Sequence, residues 1–181
     1  MKCLFIVTGR GLGGDAMTAL NAMKALERKG VECEIALDES AHGTLFEKHG
    51  YNWHRISVPH AGGHSATKLS AVKGASKLIV ATFKARSLIK KLNVDFVVGV
   101  LGGGAIVASL GGKVARKPTF SMISTPLDSK VCPKFNQCYI LPELNMFRWD
   151  KLPKNTAKAF YPLAENMGDG VEAKALEKLK E

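Results

Sequence analysis

"FIVTGRGLGGDAMTAL", Phe5 to Leu20, decides how this chain is read. An apolar run enters a glycine cluster, and a helical pattern follows at once. Strand, glycine turn and helix in that order open a unit of a parallel α/β sheet. Gly9-x-Gly11-x-x-Gly14 also has the spacing of a dinucleotide-binding turn. Glycine serves such a turn because a side chain would block the approach of a phosphate, and because tight turns need positive φ. The helix that follows adds unpaired N–H donors and a favourable dipole. By itself the turn admits three readings: a nucleotide site, a site for another anionic ligand, or a turn that binds nothing.

The alternation continues downstream. Lys2–Thr8 predicts a strand, Asp15–Lys29 a helix stopped by Gly30, and Glu32–Leu37 a second strand. A short helix is expected near Gly43–His49, a strand over "YNWHRISV", a loop over "PHAGGHSA" and a long helix over Thr67–Lys91. "VDFVVGV" has the continuous apolar character of a strand covered on both faces. It leads into a second glycine turn, "LGGGA", then a helix over Ile106–Ala115 and a strand over "PTFSMIS". The remainder reads as loop to about Ala157, ending in a charged helix over Val171–Lys180. The pattern predicts an α/β fold: an open, mainly parallel, Rossmann-like sheet with helices on both faces. Residues 1–142 are expected to form this domain, and residues 143–181 a loop and helix appended to it. Ligands of such sheets bind at the carboxyl ends of the strands, near the switch in strand order. Both glycine turns fall at such ends.

An apolar fraction of 46% against 23% charged residues fits a globular domain with a real core. No apolar run approaches the roughly 20 residues of a membrane-spanning helix. Met1–Val7 reads as a first strand rather than a signal peptide. Cys3 and Cys33 fall in predicted strands, and the spacing of Cys132 and Cys138 matches no common zinc pattern. Neither metal nor cofactor is called for, and the cytoplasm is the expected compartment.

The net charge of +10 is unevenly spread. Lys48 to Val94 contains no Asp or Glu but nine Lys or Arg and four of the five histidines. Such a field attracts anionic lipid, a phosphorylated ligand or nucleic acid. Nucleic acid is disfavoured, because Phe83 is the one aromatic among the lysines of the long helix. The bland alternative is a solvated helix face.

The run "GLGGDAMTALNAMKALERKG" resembles the opening of the MurG-like glycosyltransferases, glycosyltransferase family 28. These share a loop of the form G-T-G-G-H-x-x-P-A-L, then a helix and a glycine stop. Gly11, Gly13 and Gly14 fall on the loop glycines, and Ala19 and Leu20 on its Ala-Leu. "LFEKHGYNWHRISV" is similar to the family's lysine-histidine-glycine segment and the strand after it, and "PHAGGHS" stands where its second flexible loop does. "LNVDFVVGVLGGGAIVASLGGKVARKPTFSMIS" is similar to its P-D-V-V-L-G-x-G-G strand, turn, helix and strand. The likeness runs from Met1 to about Thr125.

The resemblance implies one half of a GT-B fold. In that family the N-terminal domain receives a lipid-pyrophosphate acceptor and rests on the cytoplasmic side of a membrane. A C-terminal domain binds the nucleotide-sugar donor, and here a further domain or a separate subunit would have to supply it. Arg10, Gly11, Gly13, Gly14, His60, His64, Gly102, Gly103 and Gly104 are the expected acceptor or anion contacts. Lys73, Lys77 and Lys84 are expected to face the membrane. The chain departs from the pattern in three places. The loop histidine is Asp15, the proline is Thr18, and the H-E-Q-N-like segment reads Ile123-Ser124-Thr125-Pro126 without a carboxylate. Transfer to an oxygen wants a base near the acceptor. Asp15 is the candidate catalytic residue, with a plain helix N-cap as its structural alternative.

Two other readings stay open on the residues. One is a non-catalytic anion- or membrane-binding module. The other is an NAD(P)-binding oxidoreductase with Asp38 on the ribose, although no Tyr-x-x-x-Lys pair or similar catalytic set accompanies it.

Overall fold

The computed structural model describes residues 1–7, 13–58, 68–124, 126–140 and 154–158. Seven strands form one sheet: β1 (Lys2–Val7), β2 (Glu32–Asp38), β3 (Trp53–Ile56), β4 (Phe96–Val100), β5 (Thr119–Ile123), β6 (Gln137–Ile140) and β7 (Thr156–Lys158). Their order is β3-β2-β1-β4-β5-β6-β7, and every pairing is parallel. The helices between them are α1 (Gly14–Glu27), α2 (Thr44–Lys48), α3 (Lys68–Leu92), α4 (Gly102–Ala115) and α5 (Pro126–Val131), with a 3-10 turn at Cys132–Lys134.

Strand alternation sorts the core into two layers. Cys3, Phe5 and Val7 of β1 point to one face with Ile35, Leu37, Val98 and Val100, where Ala16, Ala19, Leu20 and Met23 of α1 and Phe46 of α2 cover them. Leu4 and Ile6 point to the other, with Ala36, Ile56 and Val97, beneath Ala81, Ala85 and Ile89 of α3 and Val107 and Ala108 of α4. Both faces of the central strands are dry, which is why β1 and β4 read as unbroken apolar runs. Around the third core cluster, Ser109 and Ser121 share a buried hydroxyl hydrogen bond of 3.0 Å.

Local chemistry explains several boundaries. Gly30, at φ +78°, ends the turn after α1, and the N–H of Val31 reaches back to the carbonyl of Leu26 at 3.1 Å. The Trp53 indole lies over Gly43, at φ +65°, and donates to the Glu47 carboxylate at 2.7 Å, which ties α2 to β3. Three features differ from the sequence expectation. The segment read as loop after β5 contains α5, the 3-10 turn, β6 and β7. Strand β7 lies past residue 143 yet pairs with β6 in the same sheet. Helix α4 begins at Gly102, four residues earlier than its apolar periodicity suggested. The helix expected over Val171–Lys180 lies outside the described residues.

Candidate functional site

The chain builds the sheet outward from β1 to β2 and β3, then crosses by α3 to β4 on the other side of β1. The switch in strand order therefore falls between β1 and β4. Val7 and Val100 are partners in register across it. From these neighbouring strand ends the chain enters α1 and α4, so two helix N-termini open at the same edge of the sheet. This is where open parallel sheets hold ligands.

At the first opening the N-cap position belongs to Gly13, at φ 93° and ψ −166°, with Gly14 next. Both are exposed, and a Cβ on either would meet nothing within 4 Å. Asp15 is the second residue of the helix and not its cap, so its alternative role as N-cap is corrected. The helix dipole favours its charge, but it is partly buried, and burial raises its pKa above the ordinary carboxylate value. Arg10 and Gly11 lie outside the described residues, as do His60 and His64.

The second opening is built differently. Leu101 adopts φ 54° and ψ 147°, a region sparsely populated by residues with a side chain, and is buried at 4% exposure. Its N–H donates to the Met122 carbonyl at 3.0 Å, and its own carbonyl accepts from Ala105 at 3.2 Å. Gly102 follows at φ 44° and donates its N–H to Oδ2 of Asp128 at 2.9 Å. The same Oδ2 accepts from the N–H of Ser124 at 3.2 Å. Asp128 belongs to α5 and is completely buried. The Gly102 amide assigned by sequence to an incoming anion is thus already bound by an internal carboxylate, while Gly103 and Gly104 are buried in the first turn of α4. Asp128 was invisible to sequence reasoning, because it sits in a stretch without a motif and its partner lies 26 residues away.

Asp38, the residue an NAD(P) site would need, has its oxygens engaged. Oδ1 accepts from the N–H and hydroxyl of Ser40 at 2.9 and 2.5 Å, and Oδ2 accepts from the N–H of Val58 at 2.9 Å. It staples the β2 and β3 ends together.

Helix α3 borders the carboxyl edge through an ion pair between Lys84 and Glu39, the residue just after β2. In the turn and a half leading up to Lys84, Ile79, Val80 and Phe83 are exposed at 59%, 51% and 57%. Lys77 is exposed beside them, Lys84 is part-neutralised by Glu39, and the side chain of Lys73 lies outside the described part of α3. An apolar cluster among lysines is an interfacial pattern. Among the described residues, no helix is long and apolar enough to cross a membrane.

The sheet order, the two N-termini and the basic helix define the class. The model of the glycosyltransferase family 28 N-terminal domain matches residues 5–122, and the chain belongs to that family. A Pseudomonas putida UDP-N-acetylglucosamine--N-acetylmuramyl-(pentapeptide) pyrophosphoryl-undecaprenol N-acetylglucosamine transferase is 28% identical over 146 residues, or 74% of this chain and 40% of that one. The Helicobacter hepaticus enzyme of the same name is 27% identical over 118 residues, 65% of this chain and 34% of its own length. The chain thus spans well under half the length of these relatives. Among solved structures, Acinetobacter baumannii MurG superposes with a TM-score of 0.62 at 19% identity, covering 88% of this chain and 45% of that one. The UDP-GlcNAc 2-epimerase of Methanocaldococcus jannaschii shares the fold at a TM-score of 0.55 and 14% identity, over 80% of this chain and 40% of its own. Likeness at such identities concerns the fold, which an epimerase and a transferase here have in common.

Proposed function

We propose that this chain is the acceptor-binding half of a MurG-like, UDP-sugar-dependent glycosyltransferase that takes a lipid-linked pyrophosphate acceptor at the cytoplasmic face of a membrane. The donor is bound by a C-terminal GT-B domain or subunit beyond this chain. The observation that carries the reading is the exposed apolar cluster of Ile79, Val80 and Phe83 at the carboxyl rim, set in a stretch of 47 residues, Lys48 to Val94, without an acid. That surface suits a substrate whose reactive end must be lifted from a bilayer.

In this reading Gly13 and Gly14 receive the pyrophosphate, and Arg10, Gly11, His60 and His64 are its further expected contacts. Asp15 removes the proton of the acceptor hydroxyl as its oxygen attacks the anomeric carbon of the donor sugar. The bond from that carbon to the UDP oxygen breaks, and UDP leaves. Burial makes Asp15 a better proton acceptor than a solvated carboxylate.

Co-sedimentation with phosphatidylglycerol vesicles tests the membrane part. The wild-type chain is expected to pellet, and the double variant Ile79→Ser, Phe83→Ser to stay in solution with its fold intact. A wild-type chain that ignores such vesicles would overturn it. Retained binding of the double variant would move the contact to the lysines alone.

A further inference from the structure

We infer that Cys3 and Cys33 form a redox-active dithiol: a small-molecule disulfide of the glutathione type converts the pair to a reversible Cys3–Cys33 disulfide that ties β1 to β2. The inference does not rest on the acceptor-half reading. The pair lies near the amino ends of both strands, and the candidate site lies at the carboxyl ends.

The two residues are register partners on neighbouring parallel strands. Register partners project to the same face of a sheet, and strands about 4.8 Å apart hold their Cα atoms within the separation a disulfide spans. The sulfurs already stand 3.4 Å apart, with the S–H of Cys3 directed at Sγ of Cys33. A disulfide is about 2.05 Å long, so closure asks for an approach of roughly 1.3 Å. The carbonyls of Met23 and Val31, each 3.7 Å from Sγ of Cys33, offer acceptors to its own S–H and keep that sulfur beside its partner.

Access assigns the order of events. Cys3 is completely buried, whereas Cys33 is partly open to solvent. Cys33, as the thiolate, attacks one sulfur of oxidised glutathione, and the first glutathione leaves as a thiol after taking up a proton. Cys3 then attacks Sγ of Cys33. Its proton passes to the sulfur of the second glutathione as that group leaves. Two protein thiols are oxidised to one disulfide, and one disulfide is reduced to two thiols. The hydrogen bond to Cys33 is the largest cause of the raised pKa of Cys3, and capping Cys33 removes the thiolate that makes it so strong. Cys132 and Cys138 are both buried, give the reagent no entry and serve as an internal reference. The new bond joins residues 30 apart in sequence and closes a loop that contains the whole of α1. A cross-link of this kind restricts the unfolded chain.

The test equilibrates the folded chain with mixtures of oxidised and reduced glutathione, quenches with acid, alkylates in denaturant and maps the peptides by mass. Wild type is expected to lose two of its four free thiols, with Cys3 and Cys33 recovered as a linked pair and Cys132 and Cys138 fully alkylated. Dithiothreitol is expected to restore all four. Cys3→Ser is expected to accumulate Cys33 carrying one glutathione, an adduct that wild type shows only in passing. A folded wild type that keeps four thiols in excess oxidised glutathione would overturn the inference. So would one that retains glutathione on Cys33 without forming the link, or one whose link dithiothreitol cannot reduce in the native chain. None of these results touches the acceptor-half reading, which the vesicle experiment tests separately. Should Cys3→Ser not fold, the wild-type map alone decides.

Discussion

A Cβ on Gly99 would stand 2.7 Å from the Cα of Ala105, and as close to the Cβ of Ala108. Helix α4 therefore lies on β4 at a distance only a bare backbone allows. Gly99→Ala must push the helix off the strand, and overpacking of this kind costs about 1–3 kcal/mol. Thermal unfolding is the check, with an expected drop of roughly 2–4 °C per kcal/mol for a domain of this size. An unchanged midpoint would mean the helix shifts freely, and with it the turn at Leu101.

Asp15 sets a pH dependence whose sign follows from burial. Its folded pKa is raised above the unfolded value. The folded chain thus holds the proton more tightly, and stability falls as pH rises through the raised value. Asp15→Asn carries no charge to bury. It is expected to be more stable than wild type at neutral pH, with the gap closing toward about pH 4, where the unfolded carboxylate also protonates. Urea melts at a series of pH values measure this. A gap that widened on acidification would contradict it.

The same substitution separates chemistry from folding. In the enzyme of the proposed function, with a donor-binding half supplied, Asp15→Asn is expected to lose about 10²-fold or more in turnover, the scale of a missing general base. Turnover within a factor of two of wild type, given an intact fold, would take Asp15 out of the mechanism.

Asp38 predicts an absence and a cost. With its carboxylate committed to Ser40 and Val58, the chain is expected to give no heat on titration with NAD or NADP. Asp38→Ala removes the carboxylate that accepts from the N–H of Val58, a residue 2% exposed, and should cost about 1–3 kcal/mol in denaturant unfolding. Tight NAD binding by the wild type would reverse both statements.

The four thiols divide by burial. Cys132 and Cys138 are buried, and that desolvation pushes their pKa up to about 11 and about 12. Cys3 is buried against Cys33, with their sulfurs 3.4 Å apart, and its pKa is raised as well. Cys33 alone is partly open to solvent. A disulfide reagent at pH 8 is expected to react at Cys33 quickly in the native chain and at Cys132 and Cys138 only on unfolding. Early labelling of Cys132 would show that α5 opens locally.

The fold was legible up to β5 because each element there carries its own periodicity. Phe5-Ile6-Val7 and Phe96-Val97-Val98 are too apolar to be anything but central strands, and Gly30 marks a helix end whatever packs around it. Past β5 the signals fail for physical reasons. "QCYI" and "TAK" are short strands at the far side of the sheet, held by pairing rather than by composition. Three glycines in a row read as a turn, yet α4 starts there, because Asp128 holds the first amide from a distance. The candidate site was half legible for the same reason. Gly13, Gly14 and Asp15 follow one another in sequence. The carboxylate that distinguishes the second turn from the first comes from a separate helix.

Strand β1 sits in the middle of the sheet but is made first. Its hydrogen bond from Lys2 to Asp95 spans 93 residues, so one side of β1 has no partner until β4 leaves the ribosome. At about 5–20 residues per second that interval lasts roughly 5–20 s. A nascent chain in that state offers a bare apolar strand edge to its neighbours on the same message. What it synthesises meanwhile includes the acid-free cationic stretch, whose nine positive charges repel the same stretch on the next chain. The same positive charges that the proposed function turns toward a membrane thus also work against association of copies that are not yet folded.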